Sequence, residues 1–148
     1  MPQDKKFINQ TKLQKDLKFG LGQEVIIKDV LEKQFDTKLR KLPHFDPFDF
    51  IGNNCVVEIK SRRIRHNQYD TIFFGLNKLK KGKMYLQEKI RVYFVFNCND
   101  GIYYWELYDY DKQINKEFIF AEGGREDRNC NEKEILVNLN TNLLKLID

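Results

Sequence analysis

The run Val92-Tyr93-Phe94-Val95-Phe96 constrains this chain more than any other feature. Five consecutive apolar residues leave no polar face, so the run reads as a central strand covered on both sides. Such a strand needs layers above and below it, and 148 residues suffice to build them around one core. Asn99-Asp100-Gly101 is a turn signal that sends the chain back through Ile102 to Tyr108, a second aromatic-rich strand. Upstream, Gly20-Leu21-Gly22 opens a proline-free segment from Gln23 to Phe35. Its apolar residues Leu21, Val25, Ile27, Val30, Leu31 and Phe35 cover a wide arc and predict a helix that is mostly buried. Tyr69, Ile72, Leu76, Leu79, Lys83 and Leu86 recur at spacings of three and four. They predict a second helix, with Tyr69 in the core and Gly75 and Gly82 marking close packing. Leu39 to Lys60 reads as strands, and Phe118–Phe120 and Ile135–Val137 as shorter ones. Glu122 to Glu134 reads as a polar loop, and Leu143, Leu144 and Ile147 as a last helical turn. Neither an internal repeat nor a Pro/Gly/Ser linker interrupts the chain, so residues 1–148 read as a single domain, with 1–19 a Lys-rich arm or short helix. The order of elements predicts an α/β sandwich around a mixed sheet.

Composition narrows the functional classes. Hydrophobic residues at 41% rule out a disordered chain even with 32% charged residues. No apolar run approaches the roughly 20 residues of a membrane-spanning helix, and Met1-Pro2-Gln3-Asp4-Lys5-Lys6 leads into no signal-peptide core. Cys55, Cys98 and Cys130 are widely spaced and odd in number, with no C-x-x-C pair. Free thiols in a reducing, intracellular setting are expected, not zinc or a disulfide frame. The net charge of +4 is unevenly spread: residues 1–90 carry 19 Lys/Arg against 11 Asp/Glu, and residues 91–148 carry 7 against 11. A basic N-terminal part fits a polyanionic partner, and equally a Lys-rich solubilising surface.

The chemistry concentrates in one hairpin. Phe48-Asp49-Phe50-Ile51 and Cys55-Val56-Val57-Glu58-Ile59-Lys60 flank Gly52-Asn53-Asn54, residue types that tolerate the positive φ of tight turns. With Asn53-Asn54 as the loop, Ile51 pairs with Val56, Phe50 with Val57 and Asp49 with Glu58. The carboxylates then face each other about 5 Å apart at Cβ, and Lys60 shares the face of Glu58. Phe48, Phe50, Val57 and Ile59 form the apolar opposite face. Facing carboxylates repel, and a divalent cation removes the conflict. Mg²⁺ takes one or two carboxylates plus waters and phosphate oxygens, which is what this pair offers. An E-x-K pattern alone reads as ordinary surface strand; the facing aspartate, the apolar flanks and the basic Ser61-Arg62-Arg63-Ile64-Arg65-His66 that follows favour a site.

Asp49, eight residues, then Glu58-Ile59-Lys60 resembles the PD-(D/E)XK nuclease superfamily, the fold of many restriction enzymes and Holliday-junction resolvases. The resemblance covers roughly Gly20 to Cys98. It implies a restriction-endonuclease-like fold with an αβββαβ core, and a Mg²⁺-dependent DNA endonuclease for which Mn²⁺ also serves. Asp49 and Glu58 would hold the metal, and Lys60 would act on the water or the transition state. The proline of the family name does not directly precede Asp49: Asp46-Pro47-Phe48-Asp49 offers two aspartates, and Asp46 falls on the wrong face. Resolvase-like members add a glutamate from the first helix, a role that falls to Glu24 as a third metal ligand; an i,i+4 pair with Lys28 is the plain alternative. Some members carry a glutamine on the second helix, which points to Gln68, although Ile72 stands where the related Q-x-x-x-Y pattern has tyrosine. Arg62, Arg63, Arg65, Lys78, Lys80, Lys81 and Lys83 are candidate phosphate contacts. His66 is a phosphate contact or a loop histidine. The resemblance further implies a DNA partner, a homodimer and action on branched or structured DNA. The Lys- and Asn-rich composition points to an AT-rich genome such as a virus or phage. Three alternatives stand beside this: a catalytically silent nucleic-acid-binding or assembly module of the same fold; an RNA-directed endonuclease, since the same site can cut RNA; and an unrelated α+β protein with a chance E-x-K, which would bind no metal.

Overall fold

The computed structural model describes residues 25–123 and 134–147, and the chain divides between Thr37 and Lys38 into two compact units. In the first, residues 25–34 are helical (α1). The helix closes with Phe35 N–H on the Leu31 carbonyl (2.9 Å) and Thr37 N–H on that of Glu32 (3.2 Å). Asp36 takes the left-handed conformation (φ 50°) that commonly ends helices. Only Ile27 and Leu31, four residues apart, are buried, while Val25 and Ile26 are exposed. The apolar stripe is therefore narrower than the sequence predicts, as one face of a helix covers only about 100° of arc. Leu21 lies outside the described residues.

The second unit contains β1 (Arg40–Lys41), β2 (Phe50–Ile51), β3 (Cys55–Ser61), β4 (Thr71–Gly75), α2 (Leu76–Gln87), β5 (Arg91–Cys98), β6 (Gly101–Leu107), the short helix α3 (Tyr110–Gln113), β7 (Phe118–Gly123), β8 (Glu134–Asn140) and β9 (Lys145–Leu146). Six strands form one sheet in the order β1-β2-β3-β5-β6-β9. β3 and β5 are parallel, with Glu58 beside Phe94 and Lys60 beside Phe96, and the other pairs are antiparallel. The sheet is therefore mixed, and the fold is α/β as the order of elements predicts. Val92 to Phe96 sits at its centre, every residue buried. On one face Phe94 packs against Phe48, Phe74 and Trp105, with ring centroids 5.5, 4.3 and 5.6 Å away. Gly82 lets α2 lie close on this face: a Cβ there would stand 3.2 Å from both Leu107 and Val92 side chains.

Three expectations change. The second helix starts at Leu76, not near Tyr69, because Thr71–Gly75 pairs antiparallel with β8. Ile72 and Phe74 are buried and Phe73 is exposed, a period of two, and the threefold and fourfold spacings there were coincidental. Tyr69 is 60% exposed in the preceding loop, not core. β4, β8 and β7 form a second, three-stranded antiparallel sheet that the sequence pattern does not announce. Of the polar loop read between Glu122 and Glu134, residues 124–133 lie outside the described residues. At the C-terminus Leu143 of the expected helical turn does lie in one, the 3-10 turn Thr141–Leu143, but Leu144 and Ile147 do not continue it: the turn leads into β9, which pairs with Tyr103 and Tyr104.

Candidate active site

The hairpin has the expected register over Phe50↔Val57 and Ile51↔Val56, closed by Gly52 N–H on the Cys55 carbonyl (2.8 Å). Its turn uses no positive φ at Gly52, Asn53 or Asn54, contrary to the sequence argument. Turns of that hand splay the strands, and the ladder stops after two pairs. Asp49 N–H donates to the Val57 carbonyl (3.0 Å), so Asp49 and Phe50 both oppose Val57. This is a bulge, which re-aims side chains. Two consequences follow. Asp49 and Glu58 are not ladder partners; instead Asp49 Oδ2 accepts from Ile59 N–H (2.7 Å), taking the place of a backbone acceptor. Phe48 packs on the Glu58 side, against Phe94 and Tyr85, and not with Phe50 and Val57.

Asp49, Glu58 and Lys60 nevertheless form one electrostatic unit. Glu58 is 3% exposed, and burial first, then the Asp49 charge, pushes its carboxyl up to about 7 against the pull of Lys78 and Lys60. Burial likewise lowers the Lys60 ammonium, opposed by Glu58 and Asp49, with Lys78 and Arg62 pushing it further down. A desolvated carboxylate beside a second carboxylate is a place where a divalent cation relieves both burial and repulsion. Two carboxylates fit Mg²⁺, which keeps several waters; among the described residues there is no group of three or more His, Cys, Asp or Glu placed for a metal. Glu24, the predicted third ligand, lies outside the described residues.

The structure adds a residue to the site. Lys78 Nζ donates to Glu58 Oε2 (3.3 Å) and to the Pro47 carbonyl. A cation in the first turn of a helix opposes the helix dipole, and the buried carboxylate compensates it. The sequence places Lys78 among phosphate contacts; here its head lies on Glu58, a closure between β3 and α2 that no local spacing reveals. Lys81 is similarly turned inward, 4.0 Å from Asp46 and 5.2 Å from the Tyr85 ring centroid. Asp46, the other aspartate of the Asp46-Pro47-Phe48-Asp49 run, accepts from Phe48 N–H and the Tyr85 hydroxyl. Lys83 sits over the Tyr110 ring, and Lys80 is exposed.

Arg62 folds back on Phe73, while Arg63 and Arg65 are exposed. Gln68 lies in the 62–70 loop, not on α2, and its Oε1 accepts from Arg65 N–H (3.4 Å). His66 Nδ1 is 2.6 Å from Asp100 Oδ2, and its ring stacks on Tyr103 at 4.0 Å. His66 therefore ties the 62–70 loop to the β5–β6 turn and the start of β6, and is not among the contacts of Glu58. Burial raises the thiols of Cys55 and, to about 11, Cys98; neither is a reactive thiolate.

The Glu58 position has a consequence for stability. Its unfolded carboxyl titrates near 4.3, so between about 4.3 and 7 the folded chain holds a proton that the unfolded chain has lost. A raised carboxylate stabilises the fold below the unfolded pKa and loses that contribution as pH rises through the folded one. Metal-free protein should thus lose on the order of 3 kcal/mol from this group between pH 4.5 and 8. Calorimetric melts in EDTA should show Glu58→Gln gaining on wild type as pH rises, most at pH 8; a pH-independent difference would contradict the burial argument.

A parallel β3–β5 pair connected through β4 and α2, with β3 itself part of a hairpin that carries two carboxylates and a lysine, defines a restriction-endonuclease-like fold with its charged site on that hairpin. The chain belongs to the PD-(D/E)XK nucleases: a family model described as phage putative PDDEXK endonuclease matches residues 16–147. No curated protein matches it. Membership makes the protein a nuclease-type hydrolase acting on nucleic acid, of a class that generally uses divalent metals. Among the described residues no helix is long and apolar enough to cross a membrane.

Proposed function

We propose that the protein is a Mg²⁺-dependent DNA endonuclease, with Mn²⁺ able to substitute, acting on branched or structured DNA as a homodimer. The observation that carries this reading is the buried Glu58 beside Asp49 and Lys60, with burial disfavouring the charge on both Glu58 and Lys60. Asp49 and Glu58 would hold the cation, with Glu24 as a third ligand. When bound, a divalent cation polarises the scissile phosphate and acidifies a coordinated water. Lys60 orients the attacking water or stabilises charge developing on the phosphorus oxygens. Lys78 holds the Glu58 carboxylate in place from α2. Two copies would present two sites, as symmetric branched or palindromic substrates require.

The test is incubation of purified protein with supercoiled, branched and single-stranded DNA, with Mg²⁺, with Mn²⁺ and with EDTA. Metal-dependent cutting that EDTA stops is expected; no cutting of any substrate would overturn the reading. The same site on RNA would appear as cleavage of the matched RNA strands. Phosphate binding has its own signature. Arg63→Ala with Arg65→Ala should weaken DNA binding and lower the log–log salt slope by about two. Lys81→Ala should change it less, because that ammonium is held by Asp46 and Tyr85. An unchanged slope in the double variant would put the DNA on another face.

A further inference from the structure

The face of β3 that carries Glu58 and Lys60 extends to Arg62, whose N–H still pairs with the Asn97 carbonyl (2.9 Å). The guanidinium turns toward β4. Nη2 donates to the Phe73 carbonyl (3.2 Å), Nη1 to that of Ser61 (3.5 Å), and Cζ lies 5.1 Å from the centroid of the Phe73 ring. Phe73 stands between buried Ile72 and Phe74 and is itself 41% exposed. The core does not use this ring, yet a cation is fixed over it. Two connections tie it to the acidic pair. Arg62 is two residues beyond Lys60 and close enough for its charge to act there. β4 also runs directly into α2, where Lys78 touches Glu58.

We propose that Phe73 is a stacking platform for an unpaired nucleobase of the DNA strand whose phosphate enters the Asp49–Glu58–Lys60 site, with Arg62 as the residue that positions its ring. The inference rests on the nuclease reading and adds a substrate class to it: DNA with an unstacked nucleotide beside the cut. Every base has a π face, so an exposed ring accepts any of them, and the guanidinium adds a cation that the strand's phosphates favour. In continuous duplex each base is already stacked on its neighbours, and Phe73 gains no partner. The platform therefore favours single-stranded or branched segments over duplex without reading sequence.

The 148-residue chain carrying Glu58→Gln, expected to block cutting, should be titrated onto single-stranded and branched oligonucleotides with 2-aminopurine placed at successive positions. Quenching at one position is expected. Adding Phe73→Leu should abolish it and weaken binding to these substrates about 5- to 150-fold, with duplex binding unchanged. Phe73→Trp should retain both. Arg62→Lys keeps the charge but not the fork, and should reduce the quench while leaving the duplex salt slope unaltered. Quenching at no position, or equal preference with Phe73→Leu, overturns the inference. Should the leucine variant not fold, loss of quenching in Phe73→Trp has the same force. Wild-type protein that cuts DNA while Phe73 variants keep its preferences sinks this inference alone; wild-type protein that cuts no DNA sinks the nuclease reading with it.

Discussion

Asp49→Asn and Glu58→Gln should each reduce DNA cleavage to background without unfolding the protein. Both substitutions keep side-chain volume and remove one charge. Neither removes a large apolar contact, so the core around Phe94 should be unaffected. On the proposed function, what disappears is half of the carboxylate pair that would hold a divalent cation, and with it the polarisation of the phosphate that the cation would supply. The two variants should differ in the metal-free protein. Glu58→Gln ends the burial of a carboxyl that titrates near 7 and so melts higher than wild type at pH 8. Asp49→Asn leaves Ile59 N–H an amide oxygen in place of a carboxylate (2.7 Å), a weaker acceptor for that bond, and relieves Glu58 of a like charge. Full cleavage by either purified variant would remove it from the site.

Lys60→Ala should behave differently: turnover falls by about 10²–10³-fold, the range for removing one preorganised electrostatic donor, while metal affinity persists. An ammonium is not a ligand for a hard cation, and its removal takes a positive charge away from the two carboxylates. Metal binding should therefore hold steady or tighten. Lys78 remains on Glu58 at 3.3 Å, which keeps one cation beside the carboxylate in the variant. Single-turnover cleavage together with calorimetric metal titration separates the two quantities. Normal turnover with lost metal affinity would contradict the role assigned to Lys60.

The hairpin was legible because its information is local: Gly52-Asn53-Asn54 marks the turn, and alternation around it places Glu58 and Lys60 on one face. The Val92–Phe96 run likewise announces a strand covered on both sides. The bulge at Asp49 was not legible, since no residue type there marks it. It moved Phe48 to the Glu58 side and replaced direct Asp49–Glu58 pairing with a carboxylate on Ile59 N–H. β4 is hidden in the sequence because Ile72, Leu76 and Leu79 also fit a helical period, although Ile72 and Phe74 alternate with exposed Phe73. Lys78 and Arg62 show a different gap. Composition counts them as cations open to phosphate, but their partners, Glu58 and Phe73, lie 20 and 11 residues away. Only the packing of β3 against the β4–α2 segment brings those pairs together.

The central claim is that Asp49 and Glu58 jointly hold a divalent cation, and a calorimetric titration of Mn²⁺ into wild type, Asp49→Asn and Glu58→Gln at pH 8 tests it most directly. Saturable binding by wild type that is lost in both variants, each still folded by circular dichroism, is the predicted result. Equal binding by all three proteins would contradict it.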